Sequence, residues 1–202
     1  IRPGEPLHLP SDPPADVGQE SRFREHELTR AVGLLAAAGP RDAQRTFLLR
    51  GNAGSDTFQY LENWNGSSNY SDVIQDFTGN ADTMAFNGNA FSDVSAIDGY
   101  KGTAGDSATA NDNLLISTGD SYSGITEFDT FLSVGAADTD KPGFYIFFNN
   151  STNRGEIWFD TSMVSTSNAV LIATFNNITA VNQLAQFNEG PAGNNSGDFV
   201  IV

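Results

Sequence analysis

The chain has 202 residues, 25 acidic against 10 basic side chains, a formal net charge of −15 and no cysteine. That length suits one domain with a real hydrophobic core plus an appendage, and the charge sets nucleic acid and anionic lipid surfaces aside as partners. The missing cysteine excludes disulfides, thiolate metal sites and a cysteine nucleophile, and no stretch reaches the roughly 18 apolar residues of a membrane span.

Charge divides the chain near residue 50. Residues 1–50 hold seven basic and seven acidic residues, both histidines and six of the eight prolines, whereas eighteen acids and three bases follow from residue 51 onward. The acidic excess therefore belongs to the second part. The first part, taken as a leader over 1–46, opens on a proline-rich polar stretch, Ile1 to Ser21, which is expected to be extended or disordered. A possible helix follows over 20–38, with Phe23, Leu28, Val32, Leu34 and Leu35 as apolar positions and Gly39-Pro40 as its stop. No N-terminal stretch combines a basic region, an apolar core and a small-residue cleavage site, so any export must be addressed from elsewhere.

From residue 47 the pattern is that of a mostly β domain. Strands are expected at Thr57 to Tyr60, Asp72 to Phe77, Asp82 to Phe86, Asn113 to Ser117, Phe128 to Ser133, Gly143 to Asn149, Gly155 to Asp160, Ala169 to Phe175 and Asp198 to Val202, separated by Gly, Asn, Asp and Ser clusters. The apolar runs Phe144 to Phe148 and Glu156 to Phe159, joined by an Asn-rich loop, predict a hairpin at the centre of the core. One short helix is expected over Ala180 to Gln186.

The motif that points to calcium stands at the start of this domain. Gly51 to Gln59 reads Gly-Asn-Ala-Gly-Ser-Asp-Thr-Phe-Gln and matches the nonapeptide G-G-x-G-x-D-x-U-x except at its second position, Asn52. Its glycines permit a tight loop, Asp56 supplies a hard carboxylate oxygen, and Phe58 points inward from a short strand, which is chemistry suited to calcium. The following segment, Ser71 to Phe86, alternates carboxylates with apolar residues around a Gly-Asn turn. The candidate calcium ligands are therefore Gly51, Ala53, Asp56, Asp72, Asp76, Asn80 and Asp82, with backbone carbonyls completing the set. Asp106, Asp112, Asp120, Asp138 and Asp140 read as solvated loop acids.

Other chemistry is thin. His8 and His26 both lie in the leader, so the β domain has no imidazole for base catalysis or zinc binding. Glu127 and Asp129 read as a solvent-facing strand edge rather than a glycosidase pair. Sequons at Asn65, Asn69, Asn149, Asn150, Asn177 and Asn194 reflect loop composition, and Trp64 and Trp158 read as core rather than a sugar platform. No enzyme activity is expected.

Three segments together resemble the C-terminal region of bacterial RTX (hemolysin-type calcium-binding repeat) proteins, which leave the cell by type I secretion. They are the nonapeptide at 51–59, the run Asp72-Val73-Ile74-Gln75-Asp76-Phe77 with Gly79 and Asp82, and the terminal Asp198-Phe199-Val200-Ile201-Val202. The resemblance covers 47–202. It implies a short parallel β-roll turn leading into a β-sandwich-like cap, Ca2+ as the cofactor, and Asp198 to Val202 as an uncleaved secretion signal read by a type I secretion transporter. The implied protein is secreted and extracellular. Self-association is the alternative role: a calcium-dependent structural, self-assembling or adhesive protein.

Overall fold

The structure, a computed structural model, describes residues 46–61, 71–92, 94–103, 112–129, 141–190 and 197–202. The expected leader helix over 20–38, Trp64 and the loop acids at 106, 138 and 140 lie outside these residues.

The described chain begins with strands too short to stand alone. β1 (Leu48–Leu49) and β2 (Thr57–Tyr60) flank the nonapeptide turn, and β3 (Asp72–Ile74) and β4 (Thr83–Phe86) flank the next one. β1 pairs with β3, and β2 pairs with β4, both in parallel. Alternate strands thus enter opposite sheets, and the chain rises one layer per coil, as in a parallel β-roll. Amides reach acceptors 25 residues onward on the β1–β3 side and 26 onward at β2–β4. The difference arises because the second turn is one residue longer.

The remaining strands are β5 (Gly99–Gly102), β6 (Leu114–Tyr122), β7 (Gly143–Asn149), β8 (Arg154–Asp160), β9 (Val170–Phe175) and β10 (Phe199–Ile201). A seven-stranded sheet runs β1-β3-β9-β8-β7-β6-β5, and a three-stranded sheet runs β10-β4-β2. Only the β7–β8 and β8–β9 pairs are antiparallel. The fold is mostly β, with parallel pairing dominant.

The expected hairpin forms with Phe144 opposite Phe159 and Ile146 opposite Ile157. Its loop is set by Asn149, whose side-chain oxygen accepts from the Ser151 and Thr152 amides at 2.9 and 3.3 Å. Every residue of β7 is buried. Phe144, Ile146 and Phe148 enter the main core between the two sheets, whereas Tyr145 and Phe147 join a smaller cluster behind the large sheet with Leu115, Tyr122, Phe128 and Met163. A strand covered on both faces has to be a continuous apolar run, which is why this one is so conspicuous in the sequence.

Phe77 closes the roll from within the second turn. Its ring centroid lies 5.2 Å from those of Phe175 and Phe187 and 6.0 to 6.1 Å from those of Phe58 and Phe199. Rings from the roll, the large sheet and the terminal strand therefore share one aromatic cluster.

Three local expectations change. Residues 125–129 are helical, not the start of a strand at Phe128: the Phe128 amide donates to the Gly124 carbonyl at 3.2 Å, and the Glu127 carboxylate reaches back to the Ser123 amide. Glu127 and Asp129 are accordingly not neighbours along a strand edge. Second, β5 is a strand although its two terminal glycines hide the signal. Third, Val181–Gln186 is a 3-10 helix, entered through the Gln183 side chain, which accepts from the Thr179 and Ala180 amides at 2.7 and 2.9 Å.

Candidate metal centre

The stacked turns bring most of the sequence-derived ligands to one flank of the roll, and most of the carboxylates there already have a task. Asp72, buried, accepts from the Phe47 amide at 3.1 Å. Asp76 accepts from two successive amides of the nonapeptide, Gly51 and Asn52, each at 2.9 Å. Asp82, also buried, accepts from the Asp56 amide at 3.0 Å and from Thr78 at 2.8 Å. In each case a carboxylate of the second coil takes up at least one amide of the first, and Asp82 adds one from its own coil.

The same arrangement recurs one layer further on. β10 pairs with β4 in parallel, so that Phe58, Met84 and Phe199 fall in one inward row and Tyr60, Phe86 and Ile201 in another. Asp198, just before β10, accepts from the Asn80 amide through both oxygens at 3.0 Å and from the Asn188 amide at 2.9 Å. Sequence reasoning placed Asp198 at the start of a terminal strand and in a secretion signal, and missed this contact. The available signal was position: Asp56, Asp82 and Asp198 each immediately precede the strand segment that enters the small sheet.

Parallel layers need such a device. Turn amides have no strand partner, and a carboxylate accepts two of them with charge-assisted bonds worth about 1.5–3 kcal/mol apiece. Two asparagines adopt the left-handed backbone that the turns require: Asn52 has φ 71° and Asn80 φ 62°. Asn tolerates that region better than other side-chain-bearing residues, which explains how Asn52 can replace the second glycine of the nonapeptide. The Asn80 side chain adds a bond to the Gln186 carbonyl at 2.7 Å.

Asp56 differs from the other acids. Its Oδ2 is buried and has no hydrogen-bond partner among the described residues. A Cβ on Gly51 would lie 2.6 Å from that atom, so the glycine is what lets the carboxylate fold back over the turn. Burial, and then the charges of Asp82 and Asp76, push the Asp56 carboxyl above the ordinary carboxylate range. Burial likewise raises Asp198; amide bonds from Asn188 and Asn80 and the Lys101 charge oppose it, and Asp82 adds to it. Lys101 itself pairs with Glu189 at 2.9 Å and donates to the Phe187 carbonyl at 2.7 Å.

Among the described residues no three Asp, Glu, His or Cys side chains converge on a common point able to hold a metal. Ala53 is exposed at the tip of the turn, and Asp72 bonds the other flank of the first coil. One orphaned carboxylate oxygen over a glycine, beside two further carboxylates, nonetheless fits a hard cation: Asp56 would hold it and the charges of Asp76 and Asp82 would reinforce it.

The fold and this flank define a mostly β protein whose small sheet belongs to a parallel roll. Compared with known proteins, the chain matches no family model, no curated protein and no solved structure. Among the described residues no helix is long and apolar enough to cross a membrane.

Proposed function

We propose that this domain is a non-enzymatic cap that ends a calcium-binding β-roll in a secreted protein of RTX type. The observation that carries the reading is the pair of stacked coils, 48–60 and 72–86, with an Asp56 oxygen in the turn between β1 and β2 that has no partner among the described residues. Among the described residues β1 and β2 are each the outermost strand of their sheets. Parallel register therefore allows another coil to be added on that side. On the other side β10 and the antiparallel strands cover the roll and close its core.

Calcium at Asp56 would satisfy the orphaned oxygen and relieve the repulsion from Asp82 and Asp76. Folding then follows calcium, which suits a chain exported unfolded by a type I secretion transporter into a calcium-rich exterior. The Asp198–Val202 segment serves first as the export signal and then as β10.

Thermal unfolding of the full chain in calcium and in chelator tests the ion. Calcium is expected to raise the midpoint, and Asp56→Asn to remove most of that rise; identical melts in both buffers would sink the reading. Deleting 198–202 is a poor test of export, because Phe199 is fully buried and the truncation removes part of the core. Val200→Ser with Val202→Ser changes the signal at half-buried and exposed positions instead. Secretion of a folded double variant at the normal level counts against the signal.

A second reading rests on the outer strands of the small sheet. Among the described residues β2 and β10 are the outer strands of that sheet, and a second copy can assemble along such edges, as in an adhesive or structural protein. Calcium-dependent growth in light scattering would favour it.

A further inference from the structure

A second acidic pair lies on the opposite face of the large sheet from the roll. Gly143 of β7 faces Asp160 of β8, with Tyr145 opposite Trp158, so Tyr145 and Asp160 project from the same face. Asp160 is fully buried. Its Oδ1 accepts from the Ser162 amide at 3.0 Å, whereas its Oδ2 has no partner among the described residues. Tyr145 is also fully buried, and its hydroxyl likewise has no partner there.

Asp129 approaches from the 125–129 helical segment and accepts from the Thr166 amide at 2.9 Å. The two carboxylates thus hold both ends of the loop after β8, Asp160 at its start and Asp129 at Thr166. Phe128 and Met163 supply apolar walls, and the neighbouring Lys141 is exposed. Burial raises the Asp160 carboxyl and Asp129 raises it further, against amide bonds from Ser162 and Thr161. Burial, then Asp160 and then Asp129, pushes up the Tyr145 hydroxyl. Two orphaned oxygens and two acids therefore share one electrostatic environment, and a buried anion without a partner is costly.

We propose that Asp160 and Asp129 form a site for a hard divalent cation of the calcium class, with the Tyr145 hydroxyl as a further oxygen donor. Calcium accepts carboxylate, neutral oxygen and water in irregular geometry, whereas magnesium demands a near-ideal octahedron. Bound there, the ion clamps the loop after β8 to the 125–129 segment and orders the back of the sheet. The site is independent of the roll, because none of its residues belongs to the stacked turns.

Terbium is the probe, since it substitutes for calcium and emits when a nearby tyrosine or tryptophan absorbs. The full chain with Trp64→Phe leaves Trp158 as its one tryptophan. That indole stacks on Phe147, 6.4 Å between centroids, in the apolar cluster that contains Tyr145. Sensitised emission is expected, with calcium competing for it. Asp160→Asn and Asp129→Asn should each weaken the binding that Trp158 and Tyr145 report by about tenfold or more, as loss of a metal-supporting group does. Asp56→Asn should leave it unchanged, which separates this site from the roll.

Asp160→Asn keeps an acceptor for Ser162, so it should fold; Asp129→Asn carries the test if it does not. Absent emission, or emission unaltered by both substitutions, overturns the proposal. So does stabilisation by mild acid with no response to calcium or terbium, which assigns the pair a shared proton instead.

Discussion

The roll and the β7–β8–β9 meander solve the same problem by different means. In the meander, adjacent strands run antiparallel, all seven residues of β7 are buried, and aromatic side chains fill both faces of the sheet. In the roll, β1 and β3 are two and three residues long, and the turns between strands hold amides that no ladder can satisfy. Carboxylates satisfy them from the next layer. Apolar packing thus secures the meander, whereas charge-assisted bonds among crowded acids secure the roll. The roll should respond to ions and to pH through its turn acids, and the meander only through Asp160 and the carboxylate of Asp129 behind it.

The largest effect is expected where the two regions meet. Phe77→Ala removes a fully buried ring that touches Phe58 and Phe199 on one side and Phe175 on the other, at a cost of roughly 3–5 kcal/mol. Urea unfolding should show a lower midpoint for both regions together. If only the roll loosens, the shared aromatic cluster does not couple them.

Next comes Asp82→Ala, which strips the acceptor from the Asp56 and Thr78 amides and should cost about 2–4 kcal/mol. Amide hydrogen exchange should accelerate over β2 and β4 while β7 and β8 keep their protection. Uniform acceleration would show that the roll is not a separate unit of stability. Calcium saturation should follow, adding about 2.7 kcal/mol at a concentration one hundred times its dissociation constant.

The smallest effect is that of pH. Asp56, Asp160 and Asp198 all have carboxyls raised in the folded state. A folded chain that holds protons more tightly than the unfolded one gains stability as pH falls through the raised values, and the gain is complete below the ordinary carboxylate range. These groups therefore weaken the fold at neutral pH. Without divalent ions the urea midpoint should rise modestly between neutrality and about pH 5, and Asp56→Asn should both lift the neutral value slightly and flatten the rise. A midpoint that falls steadily over that interval contradicts the assignment of these acids as destabilising.

The meander was readable from residues alone because its signal is local. Phe144 to Phe148 and Glu156 to Phe159 are apolar runs of strand length on either side of an Asn-rich loop, and the hairpin joins neighbours in sequence. The helical segment at 125–129 was missed because Phe128, Thr130 and Phe131 are side chains that favour strands, while the deciding contact is the backward reach of Glu127 to Ser123. At the candidate centre the residue types were apparent but not their employment. Asp72, Asp76 and Asp82 are spaced as ligands would be, yet apart from the Thr78 amide at Asp82 their amide partners lie about 25 residues earlier, a separation that no local pattern reveals.

From the chain alone come the acidic β domain, its hairpin, the inward Phe58 and the singular position of Asp56, since composition, period-two alternation and a nine-residue motif are all short-range information. Folding settles which carboxylates are free. Asp76, Asp82 and Asp198 face turn amides brought beside them by parallel stacking, and Asp56 and Asp160 each keep a buried oxygen without a partner among the described residues. An amide must either find an acceptor or remain hydrated, and which acid it meets depends on the register between layers distant in sequence.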